Sequence, residues 1–441
     1  MLLPQSVLFC IRRLQAAQHR VYAVGGCVRD SLLGLTPHDY DLCTDATPAQ
    51  LRQIFSDLPL VLNGEKHGTV GVNIDHMLYE ITTFRTEGSY SDGRHPDCVE
   101  FVNDIKQDLA RRDFTINAMA YSPVEGYIDP WGGREDLQNG ILRAVGDPTL
   151  RFTEDALRIV RGVRFAVRFG LSVEEETEKA MQALAPSMDK LAKERIFDEL
   201  CKLIVCINAE QLIRFAPVIA QLIPELKPCI GFAQHSPHHA YDIYTHTAHV
   251  VEATAAQLPL RWAALLHDIG KVPTYTSDEN GRGHFYGHAQ VSAQMADSIL
   301  LRLKAPTALR KQVVTLIEQH MLPLDADKRV LTRRLSKYGE ETVHALLALQ
   351  KADAQSKGVV GTHADFAAVE ALLQQLREEN ACLHIKDLAV DGNDLIVIGF
   401  SAGRGIGKCL DALLQQVLDG QLPNEKAALL RAALKYLEGS L

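Results

Sequence analysis

The sequence predicts a multi-domain α+β chain: an N-terminal head with a small mixed β-sheet, followed by all-α regions. Three observations lead there. At 441 residues, with roughly 100–200 residues per domain, three or four domains are expected. Short β-like runs (VYAVGG, GTVGVNI, YEITTF) crowd into the first third of the chain. From Gly146 onward the apolar residues repeat at helical spacing.

Four regions follow from this pattern. Residues 1–145 mix strands and helices. Residues 146–235 are helical. Residues 236–355 are helical and rich in histidine. Residues 356–441 are helical again, broken by the stretch GFSAGRGIGK. Hydrophobic residues make up 46% and charged residues 23%, as in ordinary globular proteins. No apolar run of about 18 residues suggests a membrane span. The first residues, MLLPQSVLFCIRRLQAAQHR, lack the pattern of a signal peptide and space their apolar positions as a helix does. Nine scattered cysteines without a C-x-x-C pair read as reduced packing residues, which places the chain in the cytoplasm. The net charge of −9 excludes a broad basic coat for nucleic acid. A local basic groove is still compatible with it.

The head carries VGGCVRDSLLGLTPHDYDL. Asp39 and Asp41 stand two apart before Leu42, and residues i and i+2 of a strand share a face. Two adjacent carboxylates are costly without a cation, and Mg²⁺ favours oxygen ligands. Gly25 and Gly26 follow VYAV and allow close backbone approach to a triphosphate. Arg29 lies at the start of a predicted helix, where its charge and the helix dipole both favour phosphate.

This block resembles the head motif of class II transfer-RNA nucleotidyltransferases and bacterial poly(A) polymerases, which are polymerase-β-like nucleotidyltransferases. The resemblance implies that Asp39 and Asp41 hold catalytic Mg²⁺ and that Gly26 and Arg29 meet nucleotide phosphates. Glu80, in YEITTFR, is a candidate third acid; an ion pair with Arg85 is the alternative. DLARRDFTINAMAY matches the family's R-R-D-x-T-I-N-A element. That match assigns Arg112 to the nucleotide and Asp113 and Asn117 to the pocket wall.

In RFTEDALRIVRGVRFAVRFG, Arg158, Arg161, Arg164 and Arg168 form one stripe at helical spacing. Such a stripe repels itself unless anions lie against it. Ile159, Val160, Val163, Ala166 and Val167 occupy the opposite, inward face. Glu154 to Arg158 match the family's E-D-x-x-R element, so Asp155 and Arg158 are expected to act as a pair that reads the base edge. Arg161 and Arg164 are expected on the triphosphate. Residues 86–97, TEGSYSDGRHPD, read as a mobile loop. In the family such a loop accompanies the switch from CTP to ATP.

The histidine-rich region resembles the HD phosphohydrolases. His246, His267, Asp268 and Asp353 match the H…HD…D pattern, implying a divalent transition metal. His284, His288 and His320 fall where longer variants supply further ligands. GRGIGK fails both the G-x-G-x-x-G and the Walker patterns; it reads as a glycine turn opening a helix.

The expected whole is a polymerase-β-like head, a helical neck, an HD-type body and a tail. It is expected to hold the transfer-RNA acceptor arm and to add C, C and A from CTP and ATP. Alternatives are a poly(A) polymerase, a CC-only enzyme, or an HD phosphohydrolase acting on RNA ends.

Overall fold

The computed structural model describes residues 1–88, 98–237, 239–358 and 365–438. The chain forms two compact units. One comprises Met1–Lys227 with Arg302–Ala305, the other Pro228–Leu301 with Pro306–Leu441.

The first unit opens with the helix Gln5–Ala16, whose Val7, Cys10, Ile11 and Leu14 are buried. Up to residue 128 the described residues then form nine strands, with a short parallel pair, Ile141–Leu142 and Ser172–Val173, further on: β1 (Val21–Val24), β2 (Asp41–Thr44), β3 (Leu60–Val61), β4 (Thr69–Ile74), β5 (Met77–Thr83), β6 (Arg85–Glu87), β7 (Val99–Phe101), β8 (Ala120–Ser122) and β9 (Gly126–Ile128). Seven of them form one sheet in the order β3-β4-β5-β2-β1-β8-β9. Its pairs are antiparallel except β2 with β5, which run parallel. The sheet is therefore mixed, as expected.

VYAV is apolar throughout because both faces of β1 are covered. Val21 and Ala23 pack with Cys27, Leu42, Phe55 and Ile81. Tyr22 and Val24 pack with Cys43, Phe84, Leu109 and Ala120 on the opposite face. This alternation carries into β2, where Asp41 and Cys43 share the second face.

Beyond the sheet the first unit is mainly helical. The helix Leu157–Phe169 buries Ile159, Val160, Val163, Ala166 and Val167, the face assigned inward from their spacing. Gly162 lets it close on its neighbours, because a Cβ there would lie 2.9 Å from Phe114 Cζ. The second unit is helical apart from the short pair Thr276–Ser277 and Gly283–His284. Gly403, at φ 143°, turns the chain into the helix Arg404–Leu418, as the glycine-rich stretch implied. Six of the nine cysteines are buried. No helix among the described residues is long and apolar enough to cross a membrane.

One expectation is corrected at its edge. Residues 86 and 87 belong to β6, which pairs with β7 in the register Arg85↔Phe101 and Glu87↔Val99. Glu87 of β6 pairs with Arg85 at 3.0 Å and Arg111 at 2.8 Å, and backbone bonds from Gly88 to Cys98 and from Val102 to Phe84 flank the two strands. The rest of the expected loop, residues 89–97, lies outside the described residues.

The turn at Gly133 yields a stability prediction. A Cβ there would lie 2.1 Å from the carbonyl oxygen of Thr115, a backbone atom that cannot swing away. Gly133→Ala is expected to destabilise the chain by about 1–3 kcal/mol, read from urea denaturation. Gly405→Ala, which meets nothing within 4 Å, should stay within about 1 kcal/mol of the parent.

Candidate active site

The first unit contains a cleft of about 740 Å³, within the roughly 300–1,000 Å³ typical of small-molecule sites. Asp39, Asp41, Gly26, Arg29, Arg112, Asp155, Arg158, Arg161 and Arg164 all line it. Every residue singled out in the head and the arginine blocks therefore meets around one space. Glu80, Asp113 and Asn117 line it as well.

The floor is the end of β1 and β2. Val24 pairs with Asp41 across the two strands. The chain then turns at Gly25, with φ 71°, into the helix Gly26–Leu32. A Cβ at Gly25 would sit 2.7 Å from Arg112 Nη1, so the absence of a side chain brings Arg112 close to the turn. Strand β2 begins at Asp41, and Asp39 precedes it in irregular chain. The argument from strand spacing thus applies to Asp41 alone. The reason is that β1 ends at Val24, leaving no strand beside Asp39, and Pro37 has no N–H for a ladder.

Leu42 is in register with Ile81 of β5, which sets Glu80 beside Asp41. Asp41 sits above the ordinary carboxylate range. Crowding by protein displaces its solvent, and Asp39 and Glu80 repel its charge while Arg112 opposes them. Arg85, the alternative partner for Glu80, instead pairs with Glu87 at 3.0 Å. Among the described residues Asp39, Asp41 and Glu80 make no ion pair.

The arginines are held differently. Arg29 is buried; it donates to Asn117 Oδ1 at 2.6 Å and to Asp30 at 2.6 Å, with Phe169 beneath it at 4.5 Å. Arg112 Nη2 meets Asp108 at 3.4 Å, while its Nε is buried without a hydrogen-bond partner. Asp113 takes Arg161 on one oxygen, at 2.8 and 2.7 Å. Its other oxygen accepts from Asn117 at 3.0 Å and from the Phe114 backbone at 2.9 Å. Burial alone would raise its pKa; Arg161 and Asn117 overcome this and hold it at about 2. Arg164 pairs with buried Glu199 at 2.5 Å.

The anions against the stripe are therefore partly the protein's own. Arg168 is the exception: it is exposed, and among the described residues it makes no ion pair. Asp155 and Arg158 are not paired with each other. Asp155 binds Arg195 at 2.8 Å and caps Leu157 N at 3.0 Å. Arg158 binds Glu154 at 2.5 Å and the carbonyls of Arg151 and Arg111. Arg195 and Glu199 were missed in the sequence. Their signal was an i, i+4 pair in KERIFDEL, which looks like any helix surface.

A second constellation lies in the other unit. Each of four histidines places Nδ1 on a backbone carbonyl: His246 on Ser356 (3.1 Å), His267 on Ala264 (2.8 Å), His288 on Phe285 (2.9 Å) and His320 on Ile317 (2.7 Å). All four Nε2 atoms then face inward. Asp268 joins them, with Oδ2 3.3 Å from His267 and 3.6 Å from His246, and Oδ1 3.5 Å from His288. Asp353 lies 2.9 Å from His246. Lys271 reaches Asp268 at 2.7 Å. Burial lowers the pKa of His288, and takes that of His320 to about 4, so both offer neutral lone pairs. Among the described residues two groups have ligand atoms within 4.8 Å of one another: His246, His267 and Asp268, and Asp268, His288 and His320. His284 does not join them; it pairs with Asp278 at 3.0 Å in the exposed hairpin.

The profile "Poly A polymerase head domain" matches residues 21–143. A profile for the RNA- and SrmB-binding site of polymerase A matches 170–230, and one for tRNA nucleotidyltransferase domain 2 matches 276–433. The CCA-adding enzyme of Limosilactobacillus fermentum is 34% identical over 430 residues, covering 97% of this chain and 96% of that one. The chain belongs to the CCA-adding enzymes. The Streptococcus suis member is 32% identical over 446 residues, covering 98% and 97%. Among solved structures, the Bacillus stearothermophilus CCA-adding enzyme in complex with CTP aligns with a TM-score of 0.74 and 28% identity, over 99% of this chain and 98% of that one. The Thermotoga maritima enzyme complexed with tRNA shares the fold, with a TM-score of 0.61 and 23% identity over 98% and 96%.

Asp113 gives this site a pH signature. Its pKa of about 2 lies below the unfolded value of roughly 3.9. The stability it contributes is complete above pH ~4 and lost as pH falls through ~2, an effect of roughly 2–3 kcal/mol. Urea midpoints measured between pH 5 and 2 should fall along this limb. Asp113→Asn should be less stable at pH 7 and show a flatter acid limb.

Proposed function

We propose that this chain adds C, C and A to the 3′ end of transfer RNA, from CTP and ATP, without a nucleic-acid template and with release of pyrophosphate. One observation carries the reading: three carboxylates without an ion pair among the described residues and a wall of anchored arginines face the same cleft. A triphosphate needs the wall, and a reacting hydroxyl beside a divalent cation needs the carboxylates. Full-length similarity to CCA-adding enzymes supports it.

Asp39 and Asp41 would hold Mg²⁺, with Glu80 adjacent; their lack of ion pairs and the raised pKa of Asp41 fit a cation. Bound there, Mg²⁺ supplies activation of the RNA 3′-hydroxyl and neutralisation of the departing pyrophosphate. Arg29, Arg112, Arg161 and Arg164 orient the triphosphate, and Gly26 admits it close to the backbone. Arg112 lines the cleft beside the turn at Gly25.

Asp155 and Arg158 read the base edge. Arg158 commits three of its five donors to Glu154, Arg151 and Arg111, leaving two. Asp155 has lone pairs beyond those taken by Arg195 and Leu157. The sequence stretch 86–97, TEGSYSDGRHPD, favours completion with A over a stop after C, C. The four-part division into head (1–145), neck (146–235), body (236–355) and tail (356–441) remains our functional subdivision of the two units.

The decisive experiment supplies transfer RNA lacking its end together with labelled CTP and ATP. Addition of C, C and A followed by a stop is expected. A long A tail selects a poly(A) polymerase, and a stop after C, C selects a CC-only enzyme. Asp39→Ala and Asp41→Ala should each lower incorporation by about 10²–10³ or more without shifting the melting curve. Wild-type activity in either would overturn the assignment.

The second constellation favours a further reading. We infer that His246, His267, Asp268 and Asp353, joined by His288 and His320, hold divalent transition metal in an HD-type phosphohydrolase centre. Asp268 belongs to both ligand groups and directs one oxygen to each. His267 Nε2 is buried without a hydrogen-bond partner, as a metal ligand would be without its ion. Metal analysis of the purified chain should find bound divalent metal that Asp268→Ala loses. Turnover of 2′,3′-cyclic phosphates or p-nitrophenyl esters should disappear with it. A metal-free wild type that no divalent ion activates refutes this reading.

A further inference from the structure

We propose that the outer face of the helix Lys328–Tyr338 docks the sugar–phosphate backbone of the RNA substrate. The inference rests on the RNA 3′-end reading above and assigns it a surface on the second unit.

The helix reads KRVLTRRLSKY. It contains Lys328, Arg329, Arg333, Arg334 and Lys337 and no acidic residue. The chain as a whole is acidic, with 46 basic against 55 acidic residues, so this run opposes the overall balance. Leu331 and Leu335 are buried and fix the inward face. Arg329, Arg333 and Lys337 recur every four residues. On a helix of about 3.6 residues per turn they drift by only about 40° per step, roughly opposite the two leucines. All three are exposed. Each step rises about 6 Å, so the charges form a row rather than a pocket.

The row is incompletely neutralised. Arg333 meets Asp419 at 2.5 Å and Lys328 meets Glu379 at 2.6 Å. Among the described residues Arg329, Arg334 and Lys337 make no ion pair, and Arg334 Nε is buried without a hydrogen-bond partner. Like charges spaced i, i+4 destabilise a helix, so an external anion with repeated charge would relieve the row. A compact phosphate would call for convergent donors. A row suits a polymer backbone, where such contacts position a nucleic acid without reading its sequence. A membrane surface fits poorly, because an interfacial helix turns its apolar face outward and here Leu331 and Leu335 face in.

The test uses the full-length double variant Arg329→Glu/Lys337→Glu and filter binding of transfer RNA lacking its CCA end, across a range of salt concentrations. The dissociation constant for RNA is expected to rise by about tenfold or more, and the log–log salt slope to shrink by about 2. KM for CTP and ATP should not move, and the rate at saturating RNA should be retained. Arg329→Gln/Lys337→Gln should shift affinity in the same direction by less, and Arg329→Lys/Lys337→Arg should restore it. Unchanged RNA affinity and salt slope in the folded Glu variant overturn the proposal, as does a parent chain that fails to bind the RNA. A parent that binds RNA through this helix yet adds no nucleotide upholds the surface and overturns the catalytic reading instead.

Discussion

The bridge between Asp113 and Arg161 makes one cleft out of two stretches of chain 48 residues apart. Asp113 closes the R-R-D turn of the head, and Arg161 stands at the middle of the arginine helix. Around the bridge runs a continuous polar network. Arg29 donates to Asn117, Asn117 to Asp113, Arg161 to Asp113, and Glu199 gathers Arg164 with Arg161 nearby at 3.9 Å. Buried ion pairs like these are weak arguments for stability, since desolvation offsets much of their attraction; removing one partner nonetheless strands the other at about 3–5 kcal/mol. Their effect is geometric. Cationic groups are fixed before any ligand arrives, so little reorganisation is needed when negative charge develops.

The distribution of partners is as informative as the groups themselves. On the arginine wall most guanidiniums are tied to acids supplied by the protein. On the opposite floor Asp39, Asp41 and Glu80 make no ion pair among the described residues, and Arg112 moderates Asp41 from a distance. Had the site served only to stabilise the fold, the nearby arginines could have neutralised those carboxylates. Kept apart, the two sets define a gradient across the cleft: a floor that attracts cations and a wall that attracts phosphate. A nucleoside triphosphate with its metal carries both charges.

Much of this arrangement was legible in the sequence. Glycine after an apolar strand, two aspartates at short spacing and arginines at helical spacing each have a local geometric meaning. All the residues chosen on those grounds line the cleft. The parts that escaped were set by long-range packing. Whether β2 reaches back to Asp39 depends on where β1 ends, which no local pattern encodes. The separation of Asp155 from Arg158 depends on Arg195, on the helix Lys193–Ile204. His284 shares its composition with the clustered histidines but falls in a hairpin beside Asp278, where its ring is held outside the cluster. Residue type and order identify candidate ligands; only the fold decides which ring nitrogens converge.

The two candidate sites also differ physically. Arginines suit a ligand whose charge is spread over several oxygens, because each planar fork can share donors among them. The histidines are prepared differently. Backbone carbonyls at Ala264, Phe285, Ile317 and Ser356 take all four Nδ1–H groups, which turns each Nε2 inward, where a bound metal would take its lone pair. Three of those carbonyls lie three residues before their histidine, so the local backbone sets the ring without help from distant side chains. An imidazole oriented in this way is poorly suited to binding a phosphate, since the inward nitrogen is an acceptor. It is suited to a cation. The same chain thus prepares donors in one unit and lone pairs in the other, and the chemistry each can attract follows from that difference.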